Sequence, residues 1–453
     1  MKKSLLWVVV LVLSITMVAA FSLYGCKAEE AVEEEAAEEA VEEEAVEEEA
    51  AAEPAADAVT IVTTSWRTED IPRMNRINAV FMASNTHINV EFRPIADVEY
   101  DGQVYNSLEG GVGPDVITLR GYDSGLIVYE GGFLSDLNDI IIGLDKFPDE
   151  GLDAWRSKDG KIYGIPITAV SHGVYYHKDI FEEYGLEEPT TWDEFMEICQ
   201  ILKDGGETVL AQGIAHTWNI NEVVYVGMGA NFYGGEEARQ AFMDGEAKLT
   251  DKPFVDAFKM VQDLIPYFPT GFEALDHFDT QTLFGTKQAA MMIGGSWEIG
   301  VIEEEFGVTD YGWFPPPVPN AGDPIHYVWQ PDMGMAINKD SKNYDAALEY
   351  MQWMASAELA QAFMDELPGF FSYLPGEYTF KSPAAEEMFK LSLADNVKLT
   401  ARLFYEKVSM QDPSGTVLVE EALVRLATGQ FTPEQAAEHV QKGLETWYEP
   451  FMQ

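Results

Sequence analysis

Four tryptophans, Trp66, Trp218, Trp297 and Trp329, follow apolar runs or stand in loops beside polar side chains. An indole in such a place offers a flat apolar face to the C–H face of a sugar ring, while Asp, Asn, Arg and Gln neighbours can bond its hydroxyls. Arg120, Tyr122 and Asp123 supply polar groups of that kind directly after the run 113–119. His172, where the chain passes from one packing environment to another, is a further candidate, as are Asp332 and Tyr373. The alternatives are plain packing for the loop tryptophans, a surface turn for 120–123, and hinge roles for His172, Asp332 and Tyr373. Signals for catalysis or metal binding are absent: there is no H-E-x-x-H, no G-x-S-x-G, no phosphate-binding loop and no cysteine pair, and the seven histidines are scattered. Two glycosidase carboxylates need not be close in sequence, so 78 acids leave that reading open. The expectation is a binding protein, not an enzyme, with no cofactor and no metal.

These residues need elements to hold them. A β-branched run at 59–63, helical apolar spacing over 70–84 and alternation at 88–92 predict a parallel strand–helix–strand crossover. The run 113–119 predicts a third strand, which places loop 120–123 at a strand's carboxyl end, where open α/β sheets bind ligands. Residues 159–195 read as a short hairpin, an extended run 165–170, a second run 173–176 and two helices. Ser171 and His172 join the two runs without turn chemistry, so the backbone is expected to cross there from one lobe to another. Thr191 to Glu194 form a capping box, after which Trp192, Phe195, Met196, Cys199 and Leu202 share one helical face, and Gly205 and Gly206 stop the helix. Residues 212–218 open a new region. A buried strand is expected at 290–293, with Gly294 and Gly295 allowing a close turn before Trp297. Prolines in 314–319 predict a rigid surface connection. Ala346, Ala347, Tyr350, Met351 and Met354 predict a helix, and Thr432 to Gln435 cap a last one running through Trp447. Trp192, Trp353 and Trp447, on helix faces, are expected in the core, as is the thiol of Cys199.

The amino terminus has Lys2 and Lys3, then the apolar run 5–13, the pattern of a secretory signal rather than a span. It ends at Leu23, Tyr24, Gly25 and Cys26, which resembles a bacterial lipobox, so Cys26 is the expected lipidation site and membrane anchor. Residues 29–57 hold fifteen acids and no base. Glu residues there repel at i,i+4, and no apolar face recurs, so a solvated spacer is expected rather than a partner-binding tail. Without those acids, Lys2, Lys3 and Lys27, the remainder still carries a charge of about −38. That surface argues against nucleic acid or anionic membrane as a partner.

The motifs D-G-K-I-Y-G-I-P (159–166), Y-Y-H-K-D-I-F (175–181) and P-T-T-W-D-E-F (189–195), in that order, closely resemble the solute-binding lipoproteins of ABC importers, the family that includes sugar- and oligosaccharide-binding proteins. The P-D-V at 114–116, L-F-G-T-K-Q-A-A-M-M-I-G-G-S-W (283–297) and L-A-T-G-Q-F-T-P-E-Q-A-A-E (426–438) resemble it too, so the likeness spans roughly 59–453. It implies a two-lobed α/β periplasmic-binding-protein-like fold with a hinge. Signal peptide 1–25 and linker 26–57 would precede lobe 1 (58–170 plus 329–373) and lobe 2 (171–328 plus 374–453). It further implies a ligand-facing aromatic at Trp297, crossings near Ser171, Trp329 and Tyr373, an ABC permease as partner, and a monomer on the extracytoplasmic face of the cell membrane. A carbohydrate, in particular an oligosaccharide, is the implied ligand. A cationic ligand such as a polyamine on the same fold, or a surface lipoprotein enzyme acting on polysaccharide, are the rival readings.

Overall fold

The computed structural model describes residues 57–404 and 406–452. Cys26, the apolar amino terminus and, apart from Asp57, the acidic stretch lie outside the described residues. The chain starts with β1 (Val59–Thr64), the helix Ile71–Ser84 and β2 (Ile88–Phe92), and β1 pairs with β2 in parallel. That is the crossover the spacing predicts: Met74, Ile77 and Phe81 are the buried face of the helix. β3 (Val116–Leu119), buried along its length, lies on the other side of β1. Then come β4 (Ile165–Pro166), β5 (Thr168–Val170), β6 (His172–His177), β7 (Leu210–Ala211), β8 (Met291–Gly295) and β9 (Tyr311–Phe314). β10 (Ile325–Val328), β11 (Gln330–Pro331), β12 (Gly334–Ile337), β13 (Phe371–Ser372) and β14 (Val397–Thr400) complete the set.

The strands sort into two main sheets, a three-stranded one and the parallel pair β10–β14. One sheet has the order β2-β1-β3-β12-β4, the other β7-β8-β6-β9. β12 is antiparallel to β3, having returned from the far end of the chain. β11, β5 and β13 form the small sheet: Gln330 faces Val170, and Phe371 faces Ala169. This is a two-lobed α/β fold; β5 and β11 lie on stretches of chain that run between the two main sheets, and β13 pairs beside β5. Ser171 and Ser296 exchange backbone and hydroxyl hydrogen bonds beside it, the Ser296 hydroxyl also donating to the Gly369 carbonyl.

Local expectations meet their tertiary context differently along the chain. The helix Trp192–Gly205 has the full Thr191/Glu194 capping box and ends at Gly206 in a left-handed conformation. Its buried face is Trp192, Phe195, Ile198, Cys199 and Leu202, while Met196 is only half-buried. Burial raises the Cys199 thiol pKa. The proline run is not a surface connection: Pro316, Pro317 and Val318 are buried, and Asn231 Nδ2 donates to the carbonyls of Pro316 (2.8 Å) and Pro317 (3.2 Å). A buried amide supplies the donor that the prolines themselves lack. The last helix stops at Leu444, before Trp447. Trp353 and Trp447 are half-buried rather than core, each held by its indole N–H, which donates to Glu358 (2.7 Å) and to the Pro413 carbonyl (2.8 Å).

Candidate functional site

Loop 120–122 leaves the carboxyl end of β3 and forms one wall of a cleft. Arg120, Gly121 and Tyr122 meet Pro331 and Asp332 from the end of β11, Glu222 from the π-helix Asn219–Val226, and Arg402 from just past β14. They enclose about 380 Å³, including the part open to solvent. Tyr122 has φ +62°, a conformation L-residues rarely adopt, and is fixed there by a 2.6 Å hydrogen bond from its N–H to the Ala154 carbonyl. Such strain persists only where the surroundings impose it, and it is common at ligand clamps.

Charge in the cleft is mixed and largely paired. Arg120 bonds Asp97 (2.5 Å) and Asp101 (3.3 Å), with its guanidinium 4.2 Å from the ring centre of Trp66. Arg67, beneath, pairs with Asp70 and Glu69 and lies over Phe370. Arg402 pairs with Glu222, whose other oxygen accepts from Gln330 Nε2 at 3.0 Å. Asp332 is partly accessible yet surrounded: desolvation, then the Glu222 charge, push its carboxyl up to about 6, against the opposing pull of Arg67, Arg402 and Arg120. Desolvation raises Asp123 to about 6 as well. Tyr373, buried, lies within the electrostatic reach of Tyr122 and Asp332, and its phenol pKa is raised by burial first.

An aromatic group continues from this cluster. His172 on β6 is almost fully buried, and desolvation followed by the Arg402 charge lowers its pKa to about 3, so the ring is neutral. The helix beginning at Gly227 runs so close that a Cβ on Gly227 would sit 2.7 Å from His172 Cβ. Trp297 meets His172 edge-on at 5.3 Å, and Trp218 lies 6.4 Å from Trp297 and 4.8 Å from His277. Both nitrogens of His172, the Trp218 indole nitrogen and Gln330 Oε1 are buried with no hydrogen-bond partner. Buried polar atoms are seldom left so, because an unmade bond costs about 1–3 kcal/mol. Among the described residues no cluster of three or more His, Cys, Asp or Glu could hold a metal ion.

Residues 50–361, more than half of the chain, match the family described as bacterial extracellular solute-binding protein. The chain belongs to that family. Among its relatives are a multiple sugar-binding protein of Streptococcus mutans, 24% identical over 75% of this chain and 81% of that one, and a mannitol-binding protein of Pseudomonas aeruginosa, 24% identical over 68% and 71%. A chitin oligosaccharide binding protein has the same fold, with a TM-score of 0.72 at 23% identity over 86% of this chain and 99% of that one. A raffinose-bound solute-binding protein, RafE, superposes with a TM-score of 0.69 at 21% identity, with the same shares covered.

In this solute-binding protein the candidate residues fall into three groups. Arg120, Tyr122 and Asp332 line the cleft directly, with Asp123 and Tyr373 beside them. His172, Trp218 and Trp297 form the aromatic group, in which Trp297 is 7% exposed and packs over Gly295. Trp66 and Trp329 are set back: Trp66 is buried beneath Arg120 and edge-on to Tyr100, and Trp329 stacks on Phe371 at 4.9 Å beside the small sheet. Glu222 and Arg402 line the cleft but carry no sequence signal, since Glu222 lies within an apolar stretch and Arg402 in a segment without periodicity. Only their meeting across 180 residues of chain reveals them.

Proposed function

We propose that this solute-binding protein takes a carbohydrate, an oligosaccharide or related polyol glycoside, between lobes 58–170 plus 329–373 and 171–328 plus 374–453, and delivers it to an ABC permease. In this reading a lipid on Cys26 holds it, as a monomer, at the extracytoplasmic face of the membrane. The observation that carries the proposal is the coincidence of rings with unpartnered buried polar atoms: Gln330, whose Oε1 is unpartnered, donates to Glu222 in a cleft lined by Arg120, Tyr122, Glu222, Asp332 and Arg402, the unpartnered His172 ring feels the Arg402 charge, and Trp297 and then Trp218 follow from it. A polyhydroxylated ring offers apolar faces to the first and hydroxyl donors and acceptors to the second. The names of the relatives in Streptococcus mutans and Pseudomonas aeruginosa point to the same ligand class.

A polyamine fits less well. Asp332 and Glu222 would attract it, but Arg67, Arg120 and Arg402 surround the same carboxylates and would repel a polycation. A thermal-shift screen separates the readings, because a ligand that binds only the folded state raises Tm by mass action. Neutral oligosaccharides should raise Tm, and spermidine or putrescine should not. A shift with the polyamines alone would overturn the carbohydrate reading, and release of shorter sugars from a bound oligosaccharide would replace it with an enzyme.

A further inference from the structure

Several departures from ordinary packing meet behind one wall of the cleft. Tyr122 has φ +62° and ψ −119°, a combination that suits glycine and strains a tyrosine. Trp155 is fully buried, yet its indole nitrogen has no hydrogen-bond partner. Gly164, just before β4, and Gly334, the first residue of β12, both lie against that indole. A Cβ at Gly164 would stand 2.9 Å from Trp155 Cγ and Cδ1, and one at Gly334 would overlap the ring. Each of these choices costs stability by itself. Filling the volume requires none of them, and local rules are broken together chiefly where a site demands it. We propose that the segment Asp149–Trp155 is a platform that shapes this wall, with Trp155 as its positioning residue. The inference rests on the cleft being the ligand site, as proposed above, and not on which sugar it takes.

Contacts run from the segment to the wall's candidate residues. Gly334 pairs with Leu119 of β3 on one side and with Pro166 of β4 on the other, so the indole packs where the register of three strands is set. Arg120 directly follows Leu119, and Asp332 stands two residues before Gly334. The Ala154 carbonyl, next to Trp155 in the chain, accepts the Tyr122 N–H at 2.6 Å and so holds the strained residue in place. At the other end of the segment, a Cβ on Gly151 would lie 2.9 Å from Tyr373 Cδ1, so the Tyr373 ring rests on that backbone. The segment is tied back in turn. Tyr163 N–H donates to the Trp155 carbonyl (3.0 Å), and Ile162 is bracketed by the Leu137 N–H and the Asn138 side chain, at 2.8 Å each. Trp155 is not among the residues that line the cleft, so it acts through Arg120, Tyr122 and Asp332.

Two measurements on the full chain test this. In the first, calorimetric titration uses raffinose, mannitol or a chitin oligosaccharide, whichever raises Tm most in the thermal screen. Trp155→Phe should lose at least about tenfold in affinity, because the wall is no longer held in register. Trp192→Phe, at a buried tryptophan on the helix Trp192–Gly205, should lower Tm and bind within about twofold of wild type. Gly164→Ala, which presses on the indole without entering the cleft, should weaken binding as Trp155→Phe does and takes its place if that variant does not fold. The second measurement needs no ligand. Tyr122→Gly should change Tm more favourably in wild type than in the Trp155→Phe or Gly164→Ala background, by at least about 2 °C, because a relaxed loop has less strain to release. Binding within twofold of wild type in both Trp155→Phe and Gly164→Ala, or equal Tm changes in all backgrounds, overturns the inference and leaves the carbohydrate reading intact. Should none of the three sugars bind wild type, that reading fails and the Tm comparison alone decides the inference.

Discussion

Asp332→Asn should make the protein more stable near neutral pH while weakening ligand binding. The carboxyl is ionised in the cleft against its environment: desolvation and the neighbouring Glu222 raise its pKa, and Arg67, Arg402 and Arg120 offset only part of that. Its folded pKa, about 6, lies above the ordinary 3.8, so the folded state binds the proton more tightly than the unfolded chain does. Below pH 3.8 both states are protonated and the group costs nothing. Between there and pH 6 the unfolded chain ionises first, so stability falls as pH rises; above 6 the full cost remains. A rise of this size corresponds to roughly 3 kcal/mol, of which about 2 should develop between pH 4 and pH 7. Asn has the same shape and no charge. Asp123 is raised in the same direction and contributes to both proteins, so the quantity to read is the variant minus wild type. Urea unfolding followed by tryptophan fluorescence at pH 4 and pH 7 supplies it, provided the slope against urea is shared. The advantage of the variant should grow by about 2 kcal/mol from the lower to the higher pH. A difference that stays constant, or one that shrinks, would mean that Asp332 is not held under electrostatic stress.

Three further outcomes are expected. Expressed with Cys26→Ser, the protein should leave the membrane fraction; retention there would place the anchor elsewhere. Small-angle scattering should show a smaller radius of gyration with saturating sugar, since on the proposed lobe division only three stretches of chain join the lobes, and identical curves would rule out hinge closure. Trp297→Ala should cost at least about 2 kcal/mol of affinity as a cleft hot spot, and some stability because the ring is buried against Gly295 and His172. Trp353→Ala, where the ring packs on Phe81 and Tyr350, should cost stability alone, and titrations that rank the two variants equally would remove Trp297 from the site.

What could be read from the sequence is what neighbours in sequence decide. β2 occupies 88–92 as its alternation predicts, and the Thr191/Glu194 and Thr432/Gln435 capping boxes both form, because each depends on residues three apart. Tertiary context decided the rest. The tryptophans show it best: Trp66 and Trp297, assigned to loops, are buried at 8% and 7% exposure, while Trp353 and Trp447, assigned to the core, are half-buried. Helical periodicity gives the face a side chain occupies but not how completely another element covers it. The prolines of 314–319 carry a strong local bias toward the surface, which Asn231, 85 residues away, overrides with two hydrogen bonds. Glu222 and Arg402 are the extreme case, since neither has a local pattern and their meaning lies wholly in their contact.

The position of that contact bears on how ligand and hinge could be coupled. Gln330, in the small sheet, donates to Glu222, which pairs with Arg402 in the cleft wall. Asp332, two residues along, carries the raised carboxyl that Glu222 disfavours. A hydroxyl donated to Asp332 would therefore be bonded by a group whose backbone directly follows β11 of the three-stranded sheet. A ligand can shift an equilibrium between open and closed forms only by its differential affinity for the two. Here the wall from β3 supplies Arg120 and Tyr122 and the opposite wall supplies Glu222 and Arg402, so a ligand touching both gains its full set of contacts only when the walls are close. Arg73 works in the same direction without touching the cleft. Its buried guanidinium, on the helix Ile71–Ser84, donates to the Gly300 carbonyl (2.9 Å) and to Glu304 (2.9 Å) while paired with Asp70. Withdrawing it would leave a buried charge with fewer partners, which is costly, so these bonds hold the helix Ile71–Ser84 against the segment 300–304.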